Sequence, residues 1–164
     1  MRDSGYKICH DVLMEFIRQA HIHEGNFLSE LTLESKAYWG YSKDFLEKCR
    51  PHLKVTQKDI AQWPVKVLER DHEILGYFSL KTIDAENRLD NLWLLPKFIG
   101  KGFGRLLFLD AIQEAKQLEW KFFRLASEKN AIGFYKKLGA QLIGEIPSRL
   151  GNDIFLPHME YILE

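Results

Sequence analysis

The chain has 164 residues, of which 46% are hydrophobic and 28% charged, a balance typical of one globular domain with a real core. Lysine plus arginine equals aspartate plus glutamate at 23 each, so no excess of charge favours nucleic acid or an anionic membrane as a partner. The two cysteines, Cys9 and Cys49, have no metal-type spacing and are too few for a disulfide framework. No apolar signal core follows Met1, and no segment approaches the ~18 apolar residues of a membrane span. We therefore expect a cytoplasmic protein.

The first third of the chain is predicted to form a strand and two helices. Residues 15–20 read as a strand, and the helix that follows residue 26 has four residues on its predicted inner side: Phe27, Leu28, Leu31 and Ala37. Ser42 is a good N-cap for a second helix, which runs to Cys49 and stops before Pro51. Residues 1–13 fit this pattern poorly and are predicted to be an N-terminal extension to a single domain of residues 14–164. An extra helix around residues 10–16 is the competing interpretation.

The rest of the chain is predicted to contain most of the strands. Residues 65–69 and 74–83 are β-rich runs that flank a polar hairpin turn, and residues 89–95 form the next strand. Helical periodicity is clearest in residues 102–119, where one apolar stripe comprises Leu107, Phe108, Ala111, Ile112, Ala115 and Leu118. A strand at 122–126, a short helix at 130–138 closed by Gly139, and strands at 141–146 and 154–161 complete an α/β (α+β) order.

The most informative segment joins an apolar strand to the long helix through glycines at every second position: Gly100, Gly102 and Gly104. Glycines let the backbone approach a bulky anion without interference from side chains. The helix that follows offers unpaired N–H groups and the positive end of its dipole. The segment therefore indicates a site for phosphate or pyrophosphate, with an ordinary glycine-rich turn as the alternative.

Two other phosphate-binding motifs fit this segment less well. A P-loop requires Ser or Thr after its lysine, whereas Lys101 is followed by Gly102. A dinucleotide fingerprint requires an acidic residue at the end of a second strand, whereas Glu119 ends a helix.

The sequence closely resembles the GNAT superfamily of acetyl-CoA-dependent N-acetyltransferases. The resemblance lies in the element order, in the glycine turn and in a later segment that contains Asn130 and the run Phe134 to Ala140. The resemblance covers residues 14–164. It implies a central, mixed, mostly antiparallel twisted sheet of six to seven strands flanked by about four helices. It also implies acetyl-CoA as co-substrate, with no metal.

The resemblance assigns cofactor-binding residues. The strand that contains Leu92, Trp93 and Leu94 is expected to splay from its neighbour and to pair with the pantetheine arm. The pyrophosphate is expected to lie on Ile99, Gly100, Lys101, Gly102, Phe103, Gly104 and Arg105, and Asn130 is expected to contact the pantetheine arm. Ile99 departs from the superfamily, which usually has Arg or Gln at this position. Backbone N–H groups remain available to the phosphates, and Lys101 and Arg105 supply positive charge.

Catalytic roles follow from the same resemblance. Tyr135 corresponds to the usual proton donor to the departing thiolate, with a core aromatic as the alternative. Asp90 is the candidate base, although it could be an exposed strand carboxylate, and Glu34 is a weaker candidate. Tyr38, Trp39 and Tyr41 lie where the superfamily places its substrate-covering segment, and Arg149 could face an acidic acceptor. His21 and His23 have no third ligand nearby in the sequence, so we expect no metal site.

The resemblance thus predicts transfer of an acetyl group to a primary amine of a small molecule or protein, by direct attack in a ternary complex. Transfer of another acyl group, and a CoA-binding regulatory module without turnover, are the alternatives. The expected partner is an amine acceptor, with no nucleic acid or membrane, and the protein is expected to be a monomer or homodimer. The sequence does not identify the acceptor, because a fold does not fix it.

Overall fold

The computed structural model describes residues 14–164, apart from the side chain of Asn152. The predicted extension of residues 1–13 lies outside this range. Most of the helix that was considered as an alternative, around residues 10–16, also lies outside it. The first half contains β1 (Glu15–Gln19), α1 (Gly25–Ala37), α2 (Lys43–Cys49), α3 (Gln57–Gln62), β2 (Val65–Arg70), β3 (Glu73–Ile83) and β4 (Glu86–Leu94). The second half contains α4 (Phe103–Gln117), β5 (Phe122–Ala126), α5 (Ile132–Lys137), β6 (Gln141–Ser148) and β7 (Gly151–Ile162).

The seven strands form one sheet in the order β1-β2-β3-β4-β5-β7-β6. All neighbouring strands are antiparallel except β4 and β5, which are parallel. The sheet is therefore mixed and mostly antiparallel, as predicted, and the described residues form five α-helices around it, where about four were expected. The parallel pair lies in the middle, so it divides the sheet into a half of four strands and a half of three.

The two faces of the sheet carry separate hydrophobic cores. Residues of α4 and α5 pack on one face with Leu80, Phe123 and Met159, which are fully buried. Leu28 and Leu31 of α1 pack on the other face with Val67 and Tyr77. At about 25 cal/mol per Å², burial of such side chains is the main favourable contribution to folding.

The predicted inner faces of two helices are partly wrong. In α1, Leu28 and Leu31 are buried, but Phe27 is 48% exposed and Ala37 is also exposed. In α4, the predicted stripe is buried except for Leu118, which is 40% exposed because it lies one residue beyond the end of the helix.

The element α3 was not predicted. It has only six residues, too few for a helical periodicity to be visible. Its start does carry a capping box, in which the Thr56 side chain accepts from the Asp59 N–H and Asp59 accepts from the Thr56 N–H.

The hairpin that ends the chain is tighter than predicted. Strands β6 and β7 continue into the predicted loop of residues 147–153, so the connection shortens to Arg149 and Leu150. Among the described residues, no helix is long and apolar enough to cross a membrane.

Candidate active site

In the part of the chain that the structure describes, a gap between β4 and β5 forms the main cavity. The two strands share one register pair, Arg88 with Arg124, and they separate beyond it. The resulting cavity has a volume of about 540 Å³ and reaches from the glycine turn to the loop between β6 and β7. A concave space of this size is typical of small-molecule sites.

The gap leaves one backbone edge of β4 without a partner strand. The Leu95 N–H donates to the Leu75 carbonyl at 2.9 Å, so Leu95 is bonded towards β3. Since the backbone groups of successive residues alternate between the two sides of a strand, Trp93 also faces β3. Leu92 and Leu94 therefore direct their N–H and C=O groups towards the gap. These groups are available to an extended ligand that lies beside β4.

The glycine turn lies at the end of this free edge. Gly100 and Gly102 have φ of +80° and +89°, a left-handed conformation that favours glycine. Apart from the adjacent residues, no atom lies within 4 Å of the position of a Cβ at either glycine. Gly102 is the N-cap of α4, so the first N–H groups of that helix, which have no partner within the helix, lie at the turn. Gly104 has a different reason to be glycine, because a Cβ there would lie 3.2 Å from the Phe134 ring.

Most of the predicted cofactor residues line this one cavity: Leu92, Trp93, Leu94, Ile99, Gly100, Gly102, Gly104, Arg105, Asn130 and Tyr135. Lys101 and Phe103 do not line it. Phe103 instead packs edge-on against Phe98 in the core, with ring centroids 5.9 Å apart. A side-chain role for Phe103 towards a ligand is therefore excluded by its burial, although its backbone belongs to the turn.

Tyr135 is both part of the core and part of the cavity wall. Its ring packs edge-on against Phe108 and Phe134, with centroids 5.6 and 5.0 Å away. Burial, together with the nearby Glu128 carboxylate, raises the pKa of its phenol above the ordinary value. The hydroxyl is therefore protonated at neutral pH, as a proton donor must be.

A buried ion pair that the sequence analysis missed connects α1 to the residues after β5. The Lys36 ammonium donates to the Glu128 carboxylate, and the Tyr41 hydroxyl donates to the same carboxylate at 2.6 Å. The ammonium also lies 4.5 Å from the Tyr41 ring centroid and 5.9 Å from that of Trp93. Both charged residues line the cavity. No spacing in the sequence relates residues so far apart, and only the fold brings them together.

The predicted substrate-covering residues occupy three different environments. Trp39 lines the cavity, whereas Tyr38 is 53% exposed and packs edge-on against the Trp39 ring at 5.0 Å. Tyr41 contacts Glu128 and does not line the cavity. Burial and the hydrogen bond to Glu128 raise the pKa of Tyr41. Glu34, the weaker candidate base, is exposed and lies outside the cavity.

Asp90, the candidate base, lies at an irregularity in β4. Ser79 pairs with Asn91 and Leu80 pairs with Leu89, so Asp90 is the extra residue of a β-bulge. Its carboxylate accepts from the Arg149 guanidinium, and both residues line the cavity. The Asp90 side chain is 10% exposed and that of Arg149 is 50% exposed.

At the joint between the two halves of the sheet, the paired residues Arg88 and Arg124 carry the same charge. Glu86 accepts from both guanidinium groups, at 2.7 Å from Arg88 and 3.0 Å from Arg124, and Glu160 accepts from Arg124 at 2.9 Å. Hydrogen bonds from the two arginines lower the pKa of Glu86, although its burial opposes this shift. His158 lies beside this group, and burial lowers its pKa, so its imidazole is neutral at pH 7.

Among the residues that the structure describes, the histidines near the N-terminus do not belong to a group that could hold a metal ion. The rings of His21 and His23 stack with centroids 5.5 Å apart. Within residues 14–164, no three His, Cys, Asp or Glu side chains come together in a group that could hold a metal ion.

Comparison with known proteins gives consistent results. Residues 62–139 match the family described as Acetyltransferase (GNAT) domain. No curated protein matches the chain in sequence.

Several solved structures have the same fold. A PaiA N-acetyltransferase from Thermoplasma acidophilum, in complex with coenzyme A, is 22% identical and has a TM-score of 0.75, with 92% of this chain and 99% of that chain covered. The yncA protein of Salmonella typhimurium, with acetyl-CoA, is 19% identical and has a TM-score of 0.66, with 92% and 95% covered. The ribosomal-protein-S18-alanine N-acetyltransferase of Escherichia coli is 17% identical and has a TM-score of 0.63, with 92% and 94% covered.

The matched segment includes β4, the glycine turn, α4, β5 and α5, and its residues form most of the cavity wall. The whole described chain has the corresponding fold. The chain is therefore similar to the GNAT acetyltransferase family, in sequence over residues 62–139 and in fold over most of its length.

Proposed function

We propose that this protein is an N-acetyltransferase, which transfers the acetyl group of acetyl-CoA to a primary amine by direct attack in a ternary complex. The observation that carries the proposal is the gap between β4 and β5, where a free backbone edge leads into the glycine turn. Neighbours of the same fold contain coenzyme A or acetyl-CoA.

The residues present fit this co-substrate. The backbone groups of Leu92 and Leu94 can pair with the amides of the pantetheine arm, as a strand would. The turn at Gly100 and Gly102 provides open space and helix N–H groups for the pyrophosphate. Arg105, which lines the cavity, adds positive charge.

When bound, acetyl-CoA supplies an activated acyl group as a thioester. The acceptor amine must lose a proton before it attacks the carbonyl carbon, and Asp90 is the carboxylate that we propose for this step. A gap-facing N–H of β4 then donates to the thioester oxygen as negative charge develops there. Tyr135 donates its proton to the sulfur as the C–S bond breaks, and the second proton that the attacking nitrogen loses restores the phenol. The acetyl group leaves as an amide of the acceptor, and CoA leaves as a thiol.

The proposal can be tested in two steps. Calorimetry and thermal unfolding with CoA should give one site per chain and a higher melting temperature, because a ligand of the native state alone stabilises it. At a concentration 100 times Kd the stabilisation is about 2.7 kcal/mol. Absence of both signals at millimolar CoA would remove the cofactor assignment.

The second step separates an enzyme from a CoA-binding module. Acetyl-CoA is incubated with a panel of amines, and release of free thiol is measured together with the acetylated product. Acceptor-dependent thiol release supports the enzyme. CoA binding with no acceptor-dependent release across the panel favours the regulatory module, and propionyl-CoA in the same assay tests transfer of another acyl group.

A further inference from the structure

Two opposite charges lie at the end of the main cavity next to the loop between β6 and β7, which is called the acceptor end because the glycine turn lies at the other end. Asp90 and Arg149 form an ion pair, and both residues line the main cavity. The same two residues also line a smaller adjoining cavity of about 60 Å³. The ion pair therefore stands at the boundary between the two spaces.

The position of Asp90 sets where an ammonium would sit. It occupies the bulge in β4, two residues before Leu92, whose backbone faces the gap. An amine held by Asp90 is therefore beside the strand edge that is proposed to carry the thioester. The Asp90 side chain is 10% exposed, which limits the competition from water.

Arg149 provides the second contact. It belongs to the short connection between β6 and β7, and its side chain is 50% exposed, so it can turn towards an incoming anion without leaving water. A guanidinium binds a carboxylate through two parallel hydrogen bonds. His52 also lines both cavities and adds a further polar group at this end.

An ion pair at this place discriminates between acceptors by charge balance. In a molecule with both an ammonium and a carboxylate, the ammonium can replace Arg149 as the partner of Asp90, and the carboxylate can replace Asp90 as the partner of Arg149. An amine without a carboxylate breaks the ion pair when it binds Asp90, and it supplies no carboxylate to Arg149. Charge-assisted hydrogen bonds contribute more than neutral ones, so this difference favours the first kind of molecule.

We propose that the acceptor is a small amino-carboxylate, such as a free amino acid, whose ammonium binds Asp90 and whose carboxylate binds Arg149. This inference rests on the proposed function, because it names the substrate class of the same site. The small cavity beyond the ion pair has room for a side chain of only a few heavy atoms.

The test uses acceptors in matched sets: an amino acid, its amide and its decarboxylated amine, for example alanine, alaninamide and ethylamine. Thiol release from acetyl-CoA is measured with the wild-type protein. The value of kcat/KM should be about ten- to hundred-fold higher for the amino acid than for the other two, which corresponds to one charge-assisted contact. An equal or better rate with the amide or amine overturns the proposal and favours a peptide or simple amine acceptor.

Substitution of Arg149 checks the cause of the preference. Arg149→Ala should remove most of the preference through a higher KM for the amino acid, while Arg149→Lys restores part of it. Loss of the Arg149 guanidinium should not weaken the attraction of the Asp90 carboxylate for an ammonium. The KM for the simple amine should therefore rise less than the KM for the amino acid. Arg50→Ala is the control, since Arg50 lies on the surface and pairs with Glu47 and Glu30. A preference that survives Arg149→Ala overturns the proposal.

Calorimetry separates this inference from the proposed function. Alanine is titrated into the CoA-loaded wild type and Arg149→Ala proteins. Binding that is lost in the variant, in a protein that acetylates no amine, supports the amino-carboxylate site and contradicts the enzymatic function. If the protein acetylates amines without a preference for amino acids and does not bind alanine, the enzymatic function is supported and the amino-carboxylate site is contradicted.

Discussion

The buried ion pair between Lys36 and Glu128 should contribute strongly to stability once folding has placed it. The side chain of Lys36 is 8% exposed and that of Glu128 is 12% exposed. Lys36→Met keeps most of the length of the side chain and removes its charge, so the Glu128 carboxylate retains only the hydrogen bond from Tyr41. Removal of one partner of a buried pair costs about 3–5 kcal/mol, because the other charge stays buried without compensation.

For a domain of this size the expected fall in melting temperature is about 6–20 °C, at roughly 2–4 °C per kcal/mol. Urea unfolding followed by circular dichroism gives the free energy directly, provided that the transition is two-state. The double variant Lys36→Met with Glu128→Gln should recover most of the loss, because it leaves no uncompensated charge. Arg50→Met, at an exposed pair, should leave the melting temperature unchanged.

The reasoning would be refuted by a Lys36→Met protein that loses less than about 1 kcal/mol, the value typical of an exposed pair. It would also be refuted if the double variant were less stable than the single one. Either result would mean that water stabilises the Glu128 carboxylate sufficiently in the absence of the Lys36 ammonium.

Three further predictions concern the glycine turn, the proton donor and a buried carboxylate. Gly102→Val should abolish CoA binding in calorimetry, whereas Gly40→Val, which has a similar φ of +90°, should suffer comparable strain and still bind CoA; equal loss in both variants would mean that strain alone is responsible. Tyr135→Phe should lower kcat by about 10² to 10⁴ and change the affinity for acetyl-CoA little, since the ring still packs; wild-type turnover would assign the proton to another donor. Asp110 has a buried carboxylate oxygen without a hydrogen-bond partner among the described residues, and burial raises its pKa. The folded state therefore holds this proton to higher pH than the unfolded state, so the carboxyl costs stability as pH rises through its folded pKa. Asp110→Asn should raise the melting temperature at pH 7, with a gain that shrinks towards about pH 4; a gain independent of pH would contradict this account.

The parts of the fold that the sequence predicted well are those with strong local signals. Ser42 was correctly predicted as the N-cap of α2, where its side chain accepts from the Phe45 N–H. The hairpin turn between β2 and β3 was recognised from its polar residues, and both Asp71 and His72 have positive φ there. The glycine turn was visible because its glycines stand at alternate positions directly before the amphipathic sequence of α4.

What the sequence could not predict depends on contacts between distant residues. Glu128 carries no motif, and its importance follows from Lys36 and Tyr41, which the fold brings from the end of α1 and the loop after it. The ion pair of Asp90 with Arg149 likewise joins residues that are far apart in the sequence. Each charge was noticed on its own in the sequence, as a candidate base and as a group for an acidic acceptor, but a sequence does not say that the two meet.

The joint between the halves of the sheet also limits how this protein can change. Two like charges opposite each other on neighbouring strands repel, and Glu86 is the carboxylate that serves both Arg88 and Arg124. Replacement of Glu86 by a neutral residue would leave two facing guanidiniums at the one register pair that holds β4 to β5. Replacement of either arginine would leave carboxylates in excess. Together with Glu160, which also accepts from Arg124, these residues form a balanced set of two positive and two negative charges, so a substitution at one of them should be tolerated best when a second substitution restores the balance.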